Sequence, residues 1–162
     1  MKKIITLSII MFLSAVIVQA KDNSMDNKDQ IQQKINTIVT KLNNYEIGKI
    51  EIIAIPAKIL TRTNITPEML EKQYVYKLTI KDIRSASCRN IFSEALASLS
   101  AQKSSEISDL RLGVIFYYVN NERFDAIYFD KSGKNGFVGN NPVLFNGKFF
   151  RWVTSNIQLL SF

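Results

Sequence analysis

The stretch "LGVIFYYVNNERFDAIYFD", residues 112–130, limits the possible folds of this chain more than any other segment. Two runs rich in β-branched and aromatic residues, at about 111–119 and 123–130, flank Asn120-Asn121-Glu122. Asparagine tolerates a positive φ, so the pair predicts a tight turn between two antiparallel strands. The continuous apolar runs indicate a hairpin that is covered by other residues and lies near the centre of a sheet.

Three further segments predict strands. Residues 49–55, "KIEIIAI", carry isoleucine on both faces and end at Pro56, which is typical of a buried strand. Residues 74–81 alternate apolar and polar side chains, which predicts a half-buried strand with one wet face. Residues 137–147, "FVGNNPVLFNG", add one or two short strands after the glycine-rich turn "KSGKNG".

Apolar residues at helical spacing predict a helix near each end of the domain, and an N-cap pattern predicts a short helix between them. The short helix is expected to begin with Thr66 as N-cap and Pro67 at the first helical position. The long helices are predicted over 25–44 and at the C-terminus, where the second one is expected to close over the sheet. Their apolar positions are Ile31, Ile35, Ile38, Val39 and Leu42 in the first, and Phe149, Trp152, Val153, Ile157 and Leu160 in the second.

Residues 84–102 predict another amphipathic helix, and this segment contains the chain's one cysteine, Cys88. We expect the Cys88 thiol to lie in the core as a small hydrophobe. A single cysteine permits no internal disulfide, and burial would block pairing with a second molecule. The apolar stripe that includes it consists of Cys88, Ile91, Phe92, Ala95, Leu96 and Leu99.

Together these elements predict a single α+β domain over residues 21–162, with the order α-β-(α)-β-α-β-β-β-α. An antiparallel or mixed sheet of about four to five strands is expected to pack against helices mainly on one face, as a two-layer fold. The sequence does not determine the order of the strands within the sheet.

The first twenty residues, "MKKIITLSIIMFLSAVIVQA", predict a cleavable signal peptide. Lys2 and Lys3 precede an apolar stretch, and Val18-Gln19-Ala20 fits the small-x-small pattern that signal peptidase accepts. The apolar stretch is shorter than the roughly 20 residues of a membrane-spanning helix, so we expect no transmembrane anchor after cleavage. The interpretation is a periplasmic or secreted protein, most simply a bacterial one, that begins at Lys21.

The charge of the chain bears on its partners. The formal net charge is +7, and loss of Lys2 and Lys3 with the signal peptide would leave +5. The lysines are scattered without a run of five or six like charges, so we expect no nucleic-acid partner. Weak association with anionic lipid head groups or with an acidic partner stays open.

Patterns for catalysis or metal binding are weak. The chain has no histidine, which removes the commonest general base and most transition-metal sites, so we expect no metal and no cofactor. "SAQK", Ser100–Lys103, matches the S-x-x-K pattern of penicillin-recognising enzymes, but no K-T-G element follows, and we interpret it as the polar end of the helix predicted over 84–102. "DKSGKNG", residues 130–136, has lysine at its fifth position where a calcium loop needs an oxygen ligand, and we interpret it as a turn.

These observations favour a small exported binding or interaction protein without catalysis, such as an inhibitor or immunity-type partner of another envelope protein. The partner would be another protein or a small envelope component. One alternative is an envelope hydrolase that uses carboxylates such as Glu122, Asp125 or Asp130. Another is a carrier of a small apolar ligand, enclosed between the sheet and the C-terminal helix. No catalytic residue is identified, and the candidate binding side chains are Tyr74, Tyr76, Tyr117, Tyr118, Tyr128, Trp152, Arg62, Arg111 and Arg151.

Overall fold

The computed structural model describes residues 30–81, 83, 86–106 and 109–156. The predicted signal peptide with its cleavage site, and the helical positions Ile157 and Leu160, lie outside these residues. The chain divides into two compact units, Met1–Gln30 and Ile31–Phe162, and the fold described below is that of the second unit.

Four helices and seven strands make up the described part of this unit. The helices are α1 (31–43), α2 (Pro67–Gln73), α3 (Ala86–Ala97) and α4 (Phe149–Asn156). The strands are β1 (Ile47–Ala54), β2 (Tyr76–Lys81), β3 (Ser100–Lys103), β4 (Leu110–Tyr118), β5 (Arg123–Asp130), β6 (Asn135–Val138) and β7 (Asn141–Asn146).

The strands form one sheet in the order β2-β1-β4-β5-β6-β7-β3, and every neighbouring pair is antiparallel. The α+β class predicted from the sequence is therefore confirmed. The predicted size of the sheet, four to five strands, was too small. The missing strands are short ones, and they lie at the β3 end of the sheet, where the local sequence signals are weakest.

The central hairpin is confirmed. Strands β4 and β5 occupy the third and fourth of the seven positions, and the chain turns between them at Asn120 and Asn121. Asn121 adopts a φ of 67°, and its backbone N–H donates to the carbonyl oxygen of Tyr118 at 3.0 Å. The turn therefore uses the left-handed conformation that asparagine tolerates better than other side chains.

Two further predictions from local sequence are confirmed. Strand β1 is buried along most of its length, as its isoleucines on both faces indicate. Thr66 is the N-cap of α2, where its hydroxyl accepts a hydrogen bond from the N–H of Met69 at 3.3 Å, and Pro67 occupies the first helical position.

The sheet has two differently covered faces. Helices α1, α3 and α4 pack on one of them, which we call the helical face; the strand residues Ile50, Ile52 and Ala54 point into this core. Helix α2 covers part of the opposite face through Leu70, above Ile53 and Tyr128, and we call this the α2 face. Three of the four described helices thus share one face, as the sequence predicts, but α2 adds a partial third layer that the predicted two-layer fold lacked.

Aromatic rings fill the layer between the sheet and α4. Phe92 on α3 makes edge-to-face contacts with Phe149 and with Trp152, each at 5.4 Å between ring centroids. Phe129 on β5 lies 6.1 Å from the ring of Phe149. The edge-to-face geometry of the two Phe92 pairs is a favoured one for aromatic rings. Together, these ring contacts fix α4 on the sheet.

The predicted burial of Cys88 was wrong, because its side chain is exposed. The buried face of α3 is turned by about one residue position and includes Arg89 and Ser93 beside Phe92 and Leu96. Both polar side chains bond to the end of α1 or to the turn after it: Arg89 Nη2 donates to the Tyr45 hydroxyl at 2.7 Å, and Ser93 Oγ donates to Asn43 Oδ1 at 2.8 Å. These contacts, remote in sequence, select which face of α3 is buried.

The predicted helix over 84–102 was too long, because Ser100–Lys103 forms strand β3 rather than a polar helix end. Helix α3 ends at Ala97, and β3 pairs with β7 at the sheet edge. The Gln32 amide on α1 bonds to the carbonyl of Leu99 at 3.3 Å and to the N–H of Ala101 at 3.1 Å. Long-range partners therefore outweigh local helix propensity at this point.

Candidate binding surface

Strand β2 forms one edge of the sheet, where among the described residues it pairs only with β1. The sequence predicted one wet face for this strand, but both faces are largely open. Tyr76 and Leu78, which were expected to be covered, are 40% and 37% exposed, and Tyr74 and Val75 just before the strand are exposed as well. The helical layer covers Ile80 only in part and leaves the beginning of β2 open.

The register between β1 and β2 assigns each side chain of the edge strand to a face. Lys77, Thr79 and Lys81 are the cross-strand partners of Ile53, Glu51 and Lys49. Because directly opposed residues in an antiparallel pair share a face, all six side chains lie on the α2 face. Tyr76, Leu78 and Ile80 consequently line the helical face.

A cluster of charged and phenolic groups surrounds Glu51 on the α2 face. Its Oε1 lies 3.0 Å from the Lys77 ammonium and 3.2 Å from the Lys49 ammonium. Its Oε2 accepts a hydrogen bond from the Tyr117 hydroxyl at 2.8 Å. The Lys49 ammonium also lies 3.7 Å from the centre of the Tyr117 ring, which is a cation–π contact. We call Lys49, Glu51, Lys77 and Tyr117 the Glu51 cluster.

The cluster shifts the acid–base properties of two of its members. Burial raises the pKa of the Glu51 carboxyl, but hydrogen bonds from Lys77, Tyr117 and Lys49 outweigh it, so this pKa lies below its usual value. Burial and the hydrogen bond to Glu51 raise the pKa of the Tyr117 phenol to about 12. Near neutral pH the cluster therefore contains an ionised carboxylate and a neutral phenol.

Among the described residues at this edge, positive charge exceeds negative charge. The carboxylate of Glu51 neutralises one of its two lysine partners, and Lys81 lies directly opposite Lys49 on the same face. Among the ion pairs of the described residues, none includes Lys81. Like charges that face each other across two strands destabilise a sheet, so the arrangement favours an anionic group in this position.

A second polar group holds α2 on the sheet. The Arg123 guanidinium binds the Glu71 carboxylate through two parallel hydrogen bonds of 2.8 Å. The buried Tyr128 hydroxyl also bonds to Glu71 and accepts from Arg123 Nη2 at 2.7 Å. Burial and the bond to Glu71 raise the pKa of the Tyr128 phenol. This group connects α2 to β5, and we assign it a structural role.

The structure separates the predicted binding side chains into different environments. Arg111 is buried, and its guanidinium bonds to Asp109 and, at 2.8 Å, to the Ile59 carbonyl, so it fixes the loop after β1. Arg62 and Arg151 are exposed, in that loop and on α4 respectively. Of the predicted aromatic residues, Tyr74 and Tyr76 lie at the β2 edge and Tyr117 belongs to the Glu51 cluster beside it. The sequence did not single out Lys49, Lys77 or Lys81, because only the strand register brings them together.

The three carboxylates considered for catalysis have turn and strand roles. The Asp130 carboxylate accepts hydrogen bonds from the N–H groups of Ser132 and Lys134, at 3.0 and 3.1 Å, and so caps the turn after β5. The Asp125 carboxylate accepts from the adjacent N–H of Ala126 at 2.8 Å. Glu122 lies exposed in the central turn.

Within the described ranges, no group of three or more cysteine, aspartate and glutamate side chains is placed to hold a metal ion. None of the helices in that part of the chain is long and apolar enough to cross a membrane. Comparison with protein-family models finds no match, and neither the curated proteins nor the solved structures yield one.

Proposed function

We propose that this chain is an exported binding protein without catalytic activity, and that it recognises another protein through the β2 edge. The observation that carries the proposal is the open edge strand, where Tyr74, Val75, Tyr76 and Leu78 are exposed in sequence next to the basic Glu51 cluster. Contiguous exposed apolar residues with a polar rim are typical of interaction sites. Tyrosine is also among the residues that contribute most to binding energy in interfaces.

The state of the carboxylates supports binding over hydrolysis. A general acid needs a carboxyl whose pKa is raised towards neutrality. The pKa of Glu51 is lowered instead, and Glu71 is held by Arg123 and Tyr128. Asp130 and Asp125 bond to backbone N–H groups. These engaged carboxylates favour the binding protein over a hydrolase acting through them.

The carrier alternative places a small apolar ligand between the sheet and the C-terminal helix. The rings of Phe92, Phe129, Phe149 and Trp152 contact one another in that layer. A ligand would have to displace these side chains. The aromatic contacts therefore favour a protein partner on the outside of the fold over a ligand inside it.

The experiment is affinity capture from envelope extract with the purified protein, followed by mass spectrometry, in parallel with two matched variants. Leu78→Thr removes an exposed apolar side chain from the edge strand and keeps a residue that favours strands. Leu144→Thr makes the same change at an exposed position of β7. We expect wild type and Leu144→Thr to capture the same partner and Leu78→Thr to lose it. Equal capture by all three proteins would contradict a role of the β2 edge.

A further inference from the structure

We infer that the β2 edge binds an extended acidic segment of its partner as an additional strand of the sheet. This inference rests on the proposed function and specifies the chemistry of the partner. The segment would alternate acidic side chains on the α2 face with apolar side chains on the helical face, over the length of the six-residue strand β2.

The backbone of β2 provides the first part of the argument. In an antiparallel pair only alternate N–H and C=O groups point to the neighbouring strand, and the others point outward. At a sheet edge these outward groups form a row that is ready to pair with another chain. Strand β2 has such a row, since among the described residues β1 is its one partner. Strand addition of this kind derives its affinity from main-chain hydrogen bonds.

The side chains of β2 provide the second part. On the α2 face Lys77 and Lys81 are four residues apart, each two residues from Thr79, so acidic side chains of an added strand would lie opposite both ammonium groups. Such groups would also offset the repulsion between Lys81 and Lys49. On the helical face Tyr76 and Leu78 are exposed and would be covered by apolar side chains of the same strand.

The same charges disfavour a second copy of this chain as the occupant. Pairing of two β2 strands would bring Lys77 and Lys81 of each copy onto adjacent strands, next to the positive excess of both Glu51 clusters. Lysine on an edge strand is a known device against such self-association. Charge complementarity therefore selects an acidic strand from a different protein.

The test uses the purified protein and synthetic peptides of about eight residues, a typical strand length. The first peptide alternates valine and glutamate, and a control peptide of the same composition has all glutamates at one end. Two further versions of the alternating peptide carry N-methyl groups on one or the other set of alternate residues. Binding is measured by calorimetry at low and at high salt.

We expect the alternating peptide to bind at least about tenfold more tightly than the block peptide, because only alternation matches both faces. One N-methylated version should lose binding and the other should keep it, since only one set of amides faces β2. Lys81→Glu should weaken binding of the glutamate peptide and strengthen binding of a valine–lysine peptide. Lys103→Glu, on the opposite edge strand β3, should change neither.

Three outcomes would overturn the inference. Equal affinity for alternating and block peptides would mean plain charge attraction. Equal effects of both N-methylation patterns would exclude main-chain pairing. Binding to phosphatidylglycerol vesicles that the alternating peptide does not displace would assign the basic edge to lipid. If one of these outcomes occurs and Leu78→Thr still loses the captured partner, strand addition is wrong and the proposed function stands. If Leu78→Thr also captures the partner as well as wild type does, both proposals are wrong.

Discussion

Lys49 and Lys81 lie directly opposite each other on β1 and β2, with both side chains on the α2 face. Lys49 is compensated by Glu51 at 3.2 Å, whereas Lys81 takes part in none of the ion pairs among the described residues. The two lysines therefore differ in role. Lys49 belongs to the Glu51 cluster, whereas Lys81 has no ion-pair partner among the described residues, and we propose that its charge attracts the acidic segment of the partner.

This difference predicts opposite effects of two charge-removing substitutions. Glu51→Gln should lower the free energy of unfolding by about 1–2 kcal/mol, because the nearly buried carboxylate accepts charge-assisted hydrogen bonds. Lys81→Gln should leave it unchanged or raise it by up to about 0.5 kcal/mol, since a like-charge opposition is removed. Urea unfolding of both variants measures the changes, with Lys103→Gln on β3 as control. A loss at Lys81→Gln equal to that at Glu51→Gln would contradict the separation of roles.

The Tyr117 phenol gives a prediction in alkaline solution. Its folded pKa, about 12, lies above the value near 10 for an unfolded chain. The stabilisation from this shift is therefore complete below pH 10 and is lost as the pH rises through about 12. In an ultraviolet titration of tyrosinate, Tyr117→Phe should remove one late-titrating phenol and leave the earlier part of the curve unchanged. Loss of a phenol that titrates near pH 10 would mean that the bond to Glu51 is absent in solution.

Cys88 is expected to behave as a surface residue. Its thiol should react with a water-soluble reagent in the native protein about as fast as in the protein unfolded by denaturant. Cys88→Ser should change the free energy of unfolding by less than about 0.5 kcal/mol, as is usual for surface substitutions. A thiol that reacts slowly in the native protein and quickly after unfolding would instead show that Cys88 is buried, as the helical periodicity predicted.

The contrast between Cys88 and the central hairpin explains what the sequence could predict. The Asn120-Asn121 turn and the Thr66 cap depend on neighbours within a few residues, and both are confirmed. The orientation of α3 depends on Arg89 reaching Tyr45, 44 residues away in sequence, and periodicity alone misplaced it. Helical periodicity shows which residues are apolar, but it cannot show that Arg89 is buried because Tyr45 accepts its hydrogen bond.

For the same reason, local sequence patterns could not predict the candidate binding surface. The alternation in β2 correctly predicted a strand, but its exposure follows from its place at the end of the sheet, which the sequence does not determine. Lys49 and Lys81 are 32 positions apart, and only the strand register makes them neighbours. The short strand β3 likewise depends on its pairing with β7.

Export stays a prediction from the first twenty residues. If the signal peptide is removed after Ala20, N-terminal sequencing of the protein from an envelope fraction should begin at Lys21. The same sequencing applied to a variant with Ala20→Arg should give an uncleaved chain, since signal peptidase requires a small residue there. An intact Met1 in the wild-type envelope protein would contradict export by cleavage.

Hydrogen exchange tests the role of the β2 edge most directly. The exchange of backbone amides is compared between the free protein and the complex with its captured partner, using fragments that report Tyr76–Lys81 and Ser100–Lys103 separately. We predict slower exchange in the complex across β2, where outward N–H groups gain partners, and unchanged exchange in β3 at the opposite edge. Unchanged exchange in β2 together with protection of any other segment would contradict the account.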